Sequence, residues 1–301
     1  MSKHSELQTI RDFLRYATSR FNEAGLYYGH GTDNAWDEAI ALILHSLHLP
    51  HDIHAAVLDA HLTQTEKDLL ESLIDRRVVE RIPVPYLTHQ AWFAGLPFYI
   101  DERVLVPRSP IAELIQNHFK PWVSPHKVHH ILDLCTGSGC IAIACATAFP
   151  EASVDATDVS ADALAVAKIN ITRHSLDDQV HLYQADLFQS LPPNKYDIIV
   201  SNPPYVSTDE MNTLPKEYTH EPSLGLAAGK QGLDVVLRIL RDARQYLAPN
   251  GIIVIEVGNS EVSLQEMFPD APFTWPEFEH GGAGVFLLTA DQLNAVPCVN
   301  S

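Results

Sequence analysis

Four consecutive residues, Asn202-Pro203-Pro204-Tyr205, follow a strand-like apolar run and combine three groups that suit a planar –NH2. Asn202 offers a carboxamide oxygen, and Pro203 offers a carbonyl oxygen next to Pro204, which has no N–H to compete for it. Tyr205 adds an aromatic face that can lie against a flat group. Glutamine amides and adenine amino groups are flat in this way, and delocalisation of their lone pair makes the nitrogen a poor nucleophile. The tetrapeptide therefore predicts a site that binds both N–H protons and helps group transfer to that nitrogen.

A glycine turn lies further upstream, between the apolar run 130–134 and a helical stretch from 140 to 149. Its candidate ligand-binding residues are Thr136, Gly137, Ser138 and Gly139. A strand, a glycine turn and a helix form the nucleotide-binding unit of doubly wound folds, and the helix N-terminus favours anions. Ala142 stands where the dinucleotide pattern has its third glycine, so the full dinucleotide pattern is absent.

Acidic residues lie at or near the ends of the strand-like runs. Asp158 ends the run 154–158, about 20 residues after the glycine turn, where a carboxylate would accept hydrogen bonds from a ribose diol. Asp186 follows the next run and has the apolar Leu187 beside it, whereas Asp133 lies inside the first motif and could also stabilise the turn. Because parallel strands end at one edge of a sheet, we expect these acids and Asn202 to share that edge.

This constellation resembles the class I S-adenosylmethionine-dependent methyltransferases, and with Asn202–Tyr205 it resembles the branch that methylates planar –NH2 groups. The resemblance runs nearly the full length and is strongest to the bacterial protein-(glutamine-amide) methyltransferases. Further matching stretches are residues 98–108, 221–226, 229, 232 and 256–258. The resemblance implies S-adenosylmethionine as cofactor and Asn202–Tyr205 as the catalytic turn. The cofactor-binding residues that it implies are Asp133, Thr136, Gly137, Ser138, Gly139, Asp158, Asp186, Leu187 and Asn202.

Two subtypes of that family differ in their substrate. The release-factor type, which modifies a Gly-Gly-Gln motif, carries Pro-Arg-Pro-Glu-Thr, whereas this chain has Pro-Arg-Ser-Pro-Ile at 107–111. Residues 28–34 and 273–278 are similar to the type that modifies a glutamine of large-subunit ribosomal protein L3, so we favour that type. Arg108 and Glu221 are substrate-side candidates, with a surface arginine and a turn-capping acid as the alternatives. Two other functions remain open, namely methylation of an adenine amino group and non-catalytic binding of a ribosomal protein during assembly.

Amino-acid composition limits the classes of partner and cofactor that the chain is expected to bind. The 301 residues carry a net charge of −18, which suits a basic protein partner and disfavours nucleic-acid binding. Four cysteines at 135, 140, 145 and 298 lack metal-ligand spacing, so we expect reduced, packed thiols. The histidines at 45, 48, 51 and 54 do not predict a metal site, because Pro50 interrupts their helix. No apolar signal or membrane-spanning run is evident, so we expect a cytoplasmic protein. From the cysteine and histidine spacing we expect no bound metal.

The elements that must position these residues follow from periodicity. Residues 1–85 show helical spacing and predict a small substrate-recognition domain, with a capping box formed by Thr63 and Glu66. Residues 86–110 alternate like a hairpin linker, and 111–301 alternate strands with helices as in a mostly parallel α/β catalytic domain. Residues 273–278 and 284–288 predict a closing antiparallel pair. The predicted fold is therefore a Rossmann-like class I methyltransferase with a terminal antiparallel hairpin and an N-terminal helical domain.

Overall fold

The structure is a computed structural model that describes residues 6–297, so Cys298 lies outside the described residues. The chain forms two compact units. The first consists of the chain up to Ala91 together with Pro215–His220, and the second consists of Trp92–Leu214 and the chain from Glu221 onward. We refer to them as the helical unit and the catalytic unit.

The helical unit is built from amphipathic helices around an apolar core. Its helices are α1 (Ile10–Glu23), α2 (Ala35–Ser46), α3 (Gln64–Asp75), which continues as a π-helical turn (Arg76–Glu80), and α4 (Val84–Thr88). The Thr63 hydroxyl accepts from the Glu66 N–H and the Glu66 carboxylate accepts from the Thr63 N–H, which confirms the predicted capping box. Phe13 and Phe21 on α1 are fully buried and anchor this core.

An ion cluster is buried beside that core. The Arg77 guanidinium is fully buried and contacts the Glu38 carboxylate at 3.2 Å and the Glu217 carboxylate at 3.3 Å. Arg81 adds a second cation 3.4 Å from Glu217, and the Tyr27 N–H donates to the same carboxylate. Glu217 lies on the 3₁₀ turn Lys216–His220, so the segment 215–220 is part of the helical unit through its own side chains.

The catalytic unit alternates strands and helices as predicted. Strands β1 (Ala91–Phe93) and β2 (Leu96–Phe98) form a separate small sheet, and the first residue of β1, Ala91, belongs to the helical unit. The large sheet consists of β3 (His130–Leu134), β4 (Ser153–Asp158), β5 (Val180–Gln184), β6 (Tyr196–Ser201), β7 (Leu247–Glu256) and β8 (Val285–Thr289). The helices of the catalytic unit are α5 (Ile111–Gln116), α6 (Cys140–Ala148), α7 (Ala161–Arg173), α8 (Thr208–Met211), α9 (Asp234–Ala243), α10 (Glu261–Met267) and α11 (Ala290–Ala295).

The large sheet has the order β5-β4-β3-β6-β7-β8. All neighbours pair in parallel except β8, which runs antiparallel to β7. The chain first builds outward from β3 through β4 to β5 and then returns to β6 on the other side of β3. The carboxyl ends of β3 and β6 therefore flank the point where the strand order reverses, which is where doubly wound sheets bind ligands.

The closing antiparallel pair differs in extent from the prediction. β8 forms a full strand against β7, but of the segment 273–278 only Thr274 pairs with β8, through a single bridge to Leu287. Pro272 and Pro276 flank this bridge, and proline has no N–H to extend a ladder. The apolar side chains of that segment still pack on the core, where the Phe273 ring lies 4.8 Å from the Phe286 ring.

None of the helices in the part of the chain that the structure describes combines the length and the hydropathy needed to cross a bilayer.

Candidate active site

The glycine turn after β3 is fastened to the end of β4. Asp158, the last residue of β4, accepts the Gly137 N–H with one carboxylate oxygen and the Ser160 N–H with the other, both at 2.9 Å. Gly137 has a φ of +55° and open space where a side chain would begin, while Gly139 has a φ of +80° and lies against Ala167 of α7. The turn therefore needs glycine at both positions, and it leaves an open face beside the Asp158 carboxylate.

Asp133 lies in the core beneath this turn. One carboxylate oxygen accepts the Thr136 hydroxyl at 2.5 Å and the Ala142 N–H at 3.1 Å, so Asp133 holds the turn to the start of α6. The other oxygen, Oδ1, is buried without a hydrogen-bond partner. Burial raises the pKa of Asp133 to about 7. An unpartnered carboxylate oxygen at this position fits a ligand that brings a donor of its own.

This raised pKa leads to a pH-dependent difference in stability between wild type and Asp133→Asn. The group is protonated in both folded and unfolded chains below its ordinary pKa of 3.8, so its burial costs nothing extra there. As pH rises from about 4 to about 7 the unfolded chain ionises first, and the folded protein loses up to about 1.4 kcal/mol per pH unit relative to the asparagine variant. Urea unfolding across this window measures the difference. A difference in free energy of unfolding that does not change with pH would contradict the raised pKa of Asp133. The control is Asp162→Asn, which changes an exposed carboxylate at the start of α7.

Asn170, which sequence analysis missed, clamps the turn from α7. Its amide nitrogen donates to the Ser138 carbonyl at 2.9 Å and to the Tyr99 carbonyl at 3.0 Å, and its oxygen accepts the Tyr99 N–H at 2.7 Å. The side chain is fully buried. Asn170 therefore fixes the central residue of the turn to the chain that follows β2. A polar residue inside the apolar pattern of α7 was the available signal.

Asp186 and Leu187 lie just beyond the end of β5, along the same edge of the sheet. The Ala185 N–H donates to the Asp158 carbonyl, which holds this segment beside the end of β4. Leu187 is buried with a φ of +57°, and Asp186 is half-exposed, with its carboxylate 2.7 Å from the Arg238 guanidinium of α9. One oxygen of Asp186 is therefore already committed to a cation on the protein.

The Asn202–Tyr205 turn leaves β6 directly beside the glycine turn. Leu134 and Ser201 are paired across the sheet, and the Ser201 hydroxyl donates to the Leu134 carbonyl at 2.8 Å. Asn202 is therefore the first residue past β6, level with the first residue past β3. It is half-buried, and Pro203 next to it is buried. The structure thus brings the two predicted motifs together at one edge.

Tyr205 is held from several sides. Its hydroxyl donates to the Glu256 carboxylate at 2.8 Å, and its carbonyl accepts the Ser260 hydroxyl at 3.0 Å. Two glycines make room for it, because a Cβ on Gly258 would lie 2.5 Å from the Tyr205 ring and one on Gly232 would lie 2.1 Å from its carbonyl oxygen. This explains the glycines at 232 and 258 that the sequence showed without a structural reason.

Arg108 and Glu221, the two substrate-side candidates, are partners of each other. The two guanidinium nitrogens of Arg108 contact the two carboxylate oxygens of Glu221 at 2.6 and 2.7 Å, the bidentate geometry of a strong pair. Glu221 also accepts the Val106 N–H at 3.1 Å and is buried. The Arg108–Glu221 pair therefore links the segment before α5 to the loop that follows the Asn202–Tyr205 turn.

The remaining polar side chains considered in the sequence are the cysteines and the possible metal ligands. The Cys135, Cys140 and Cys145 thiols are free, and burial raises the pKa of each. Within residues 6–297 no group of three or more histidine, cysteine or acidic side chains could hold a metal ion. The polar groups that the structure places at the carboxyl edge of the sheet are carboxylates, backbone amides and the Asn202 carboxamide.

The fold and this site define a class of protein, the class I S-adenosylmethionine-dependent methyltransferases. Residues 112–217 match the sequence profile of the methyltransferase small domain. The catalytic domain of hMettl16, solved in complex with MAT2A 3′UTR hairpin 6, superimposes with a TM-score of 0.51 over 75% of this chain and 81% of that chain at 19% identity, a likeness of fold alone.

Two curated proteins resemble the chain over almost its whole length. Ribosomal protein uL3 glutamine methyltransferase of Neisseria gonorrhoeae is 53% identical over 96% of both chains, and that of Neisseria meningitidis is 52% identical over 96% of this chain and 95% of its own. The chain belongs to this family of protein-glutamine methyltransferases, which confirms the predicted fold class, the enzyme class and the choice of the ribosomal-protein subtype.

Proposed function

We propose that this chain transfers a methyl group from S-adenosylmethionine to the side-chain amide nitrogen of a glutamine in uL3, the large-subunit ribosomal protein L3. The observation that carries the proposal is the juxtaposition of the Asn202–Tyr205 turn with the glycine turn across β3 and β6. The names of both Neisseria relatives support the substrate. A ribosomal substrate supports a cytoplasmic location for the proposed reaction.

The residues around the glycine turn suit the proposed cofactor. Asp133 leaves an unpartnered buried oxygen, Asp158 presents a carboxylate to the open face of Gly137, and Leu187 supplies a buried apolar side chain. These match the amino, ribose and adenine parts that the cofactor would bring. Thr136, Ser138 and Gly139 would complete the cradle, with Asp186 at its rim. When bound, S-adenosylmethionine supplies an already activated methyl group on a sulfonium.

The Asn202 oxygen and the Pro203 carbonyl would accept the two N–H protons of the substrate amide. Holding both protons orients the nitrogen and stabilises the positive charge that develops on it. Pro204 keeps the turn free of a competing N–H. The ring of Tyr205, whose hydroxyl is occupied by Glu256, would lie against the flat amide.

The helical unit is proposed to select the protein substrate. It carries residues 28–34, which resemble the ribosomal-protein subtype, and it holds none of the residues of the glycine turn. The net charge of −18 suits a basic ribosomal protein, since opposite charges steer association. Association with uL3 is therefore expected to slow as salt rises.

Transfer of labelled methyl groups tests the proposal against its alternatives. The full chain is incubated with labelled S-adenosylmethionine and, separately, with purified uL3, a release factor and polynucleotide. Label in uL3 on a glutamine side chain is expected. Faster labelling of the release factor would overturn the subtype but keep the glutamine chemistry, label in polynucleotide would favour adenine methylation, and no label in any of the three would favour a binding module.

The role of Asp158 has its own test. Asp158→Ala is expected to weaken S-adenosylmethionine binding by about 1–3 kcal/mol, because charge-assisted hydrogen bonds to a diol would be lost. Titration calorimetry on the folded variant measures this. Asp162→Ala, which removes an exposed carboxylate from the first turn of α7, is the control and should bind normally. Unchanged affinity in Asp158→Ala would remove the ribose assignment.

A further inference from the structure

Glu256, the last residue of β7, is a buried carboxylate that joins two parts of the candidate site. Oε1 accepts the Tyr205 hydroxyl at 2.8 Å, and Oε2 accepts the Ser109 hydroxyl at 2.5 Å. Ser109 directly follows Arg108, so Glu256 connects the Asn202–Tyr205 turn to the segment that carries the Arg108–Glu221 pair. The side chain is almost completely shielded, with 5% of the residue exposed.

The hydrogen-bond directions favour the charged form of Glu256. The Ser109 oxygen accepts the Ile111 N–H at 3.2 Å, which leaves its own proton to be donated to the carboxylate. The Tyr205 hydroxyl donates its proton to the other oxygen. Burial outweighs these contacts and raises the pKa of Glu256 above its ordinary value, although the two hydroxyl donors and the charge of Arg108 lower it.

A carboxylate at position 256 is not required simply to hold the Tyr205 turn and the Ser109 segment together. Within residues 6–297 no arginine, lysine or histidine forms a salt bridge with Glu256, so only the more distant charge of Arg108 offsets the cost of burying this carboxylate. A glutamine could make the same two contacts, since its oxygen can accept from Tyr205 and its nitrogen can donate to Ser109. The geometry alone therefore gives no reason for a carboxylate in place of an amide.

We propose that Glu256 is a positioning residue for methyl transfer that acts through Tyr205 by making the face of its ring more electron-rich. This inference rests on the proposed function. A phenol that donates to a carboxylate gains electron density on its ring, and the face of an aromatic ring attracts positive charge. The amide nitrogen develops positive charge as it takes the methyl group, so a more negative ring beside it favours that stage over the bound substrate.

Contacts other than the one with Glu256 also hold Tyr205. The Gly258 backbone packs against one edge of the ring, so closely that an added Cβ would lie 2.5 Å from it. Gly258 is in turn covered by Gly284, whose added Cβ would lie 2.3 Å from the Gly258 carbonyl oxygen. The Tyr205 carbonyl is held at the same time by Ser260. Loss of the Glu256 charge should therefore leave the ring in place and change its electron density alone.

The test compares Glu256→Gln, Tyr205→Phe and the double variant in the full chain, with Glu266→Gln on the exposed face of α10 as control. Each single variant is expected to lower single-turnover methyl transfer about tenfold, which corresponds to about 1.4 kcal/mol. The double variant should be no slower than the slower single variant, because both remove one interaction. Cofactor affinity and KM for uL3 should change little. Full activity of Glu256→Gln would overturn the proposal, as would additive losses in the double variant.

A second measurement does not depend on activity. 3-Fluorotyrosine placed at position 205 reports the electron density of the ring through its ¹⁹F resonance. The resonance is expected to move when Glu256→Gln is introduced and to stay in place with Glu266→Gln. An unmoved resonance with Glu256→Gln would overturn the proposal even in an active enzyme. If wild type methylates no glutamine, the proposed function fails, whereas the resonance still reports on the pairing of Glu256 and Tyr205.

Discussion

Replacing Asn202 with alanine is expected to slow methyl transfer by about a hundredfold or more, while cofactor affinity stays nearly unchanged. The expected loss follows from the role assigned to the carboxamide oxygen, which accepts one substrate N–H proton and stabilises the charge that develops on nitrogen. The cofactor residues around Asp158 and Gly137 belong to a different strand end and keep their contacts in this variant.

Single-turnover transfer to uL3 and calorimetric titration of S-adenosylmethionine separate these two effects. Asn212→Ala is a matched control, because Asn212 is an exposed asparagine just after α8 whose side-chain amide donates to the Thr208 carbonyl. It should retain the wild-type rate. Equal losses of rate and cofactor affinity in Asn202→Ala would assign Asn202 to the cofactor site instead of the acceptor site.

The second large effect is expected at Arg77. Arg77→Ala should destabilise the helical unit by about 3–5 kcal/mol, because removal of one partner leaves buried charges without compensation. Glu38 and Glu217 both depend on this guanidinium, and both are almost fully buried. The truncated side chain also leaves a cavity in a site that is fully buried in wild type.

The neighbouring Arg76 provides the control for this prediction. Its side chain is 45% exposed and lies 3.9 Å from Glu80, so Arg76→Ala removes a surface pair and should change stability by less than about 1 kcal/mol. Urea unfolding followed by circular dichroism measures both variants. If the two variants unfold at similar urea concentrations, the buried ion cluster stabilises the helical unit no more than a surface ion pair does, and the prediction is wrong.

Sequence analysis located the strands of the parallel sheet well because their signals are local. β3 has the predicted bounds and β4 begins one residue before the predicted run, since each is a strand-like run that ends where a polar or glycine-rich turn begins. Once those runs are strands of one parallel sheet, Asp158 and Asn202 must meet at its carboxyl edge. The prediction was less good at 273–278, where two prolines limit an apolar segment to a single bridge.

The side chains that hold the site together could not be predicted in this way. Ser109 and Glu256 are 147 positions apart, and Asn170 reaches Tyr99 across 71 positions. Periodicity indicates which face of an element is buried, but it does not show which polar residues meet inside the core. The same limit applies to the bidentate contact between Arg108 and Glu221, which joins residues 113 positions apart, while both remain substrate-side candidates.

The placement of residues 215–220 in the helical unit also matters for how this family can diverge. The segment is encoded between the Asn202–Tyr205 turn and Glu221, yet Glu217 contacts Arg77 and Tyr218 packs against Tyr27 and His30. A recombination event that exchanged only the amino-terminal third of the gene would pair a new helical unit with an old hexapeptide. Positions 77 and 217 should therefore change together among relatives, and a chimaera that carries a whole new helical unit needs three crossovers, at 91/92, 214/215 and 220/221.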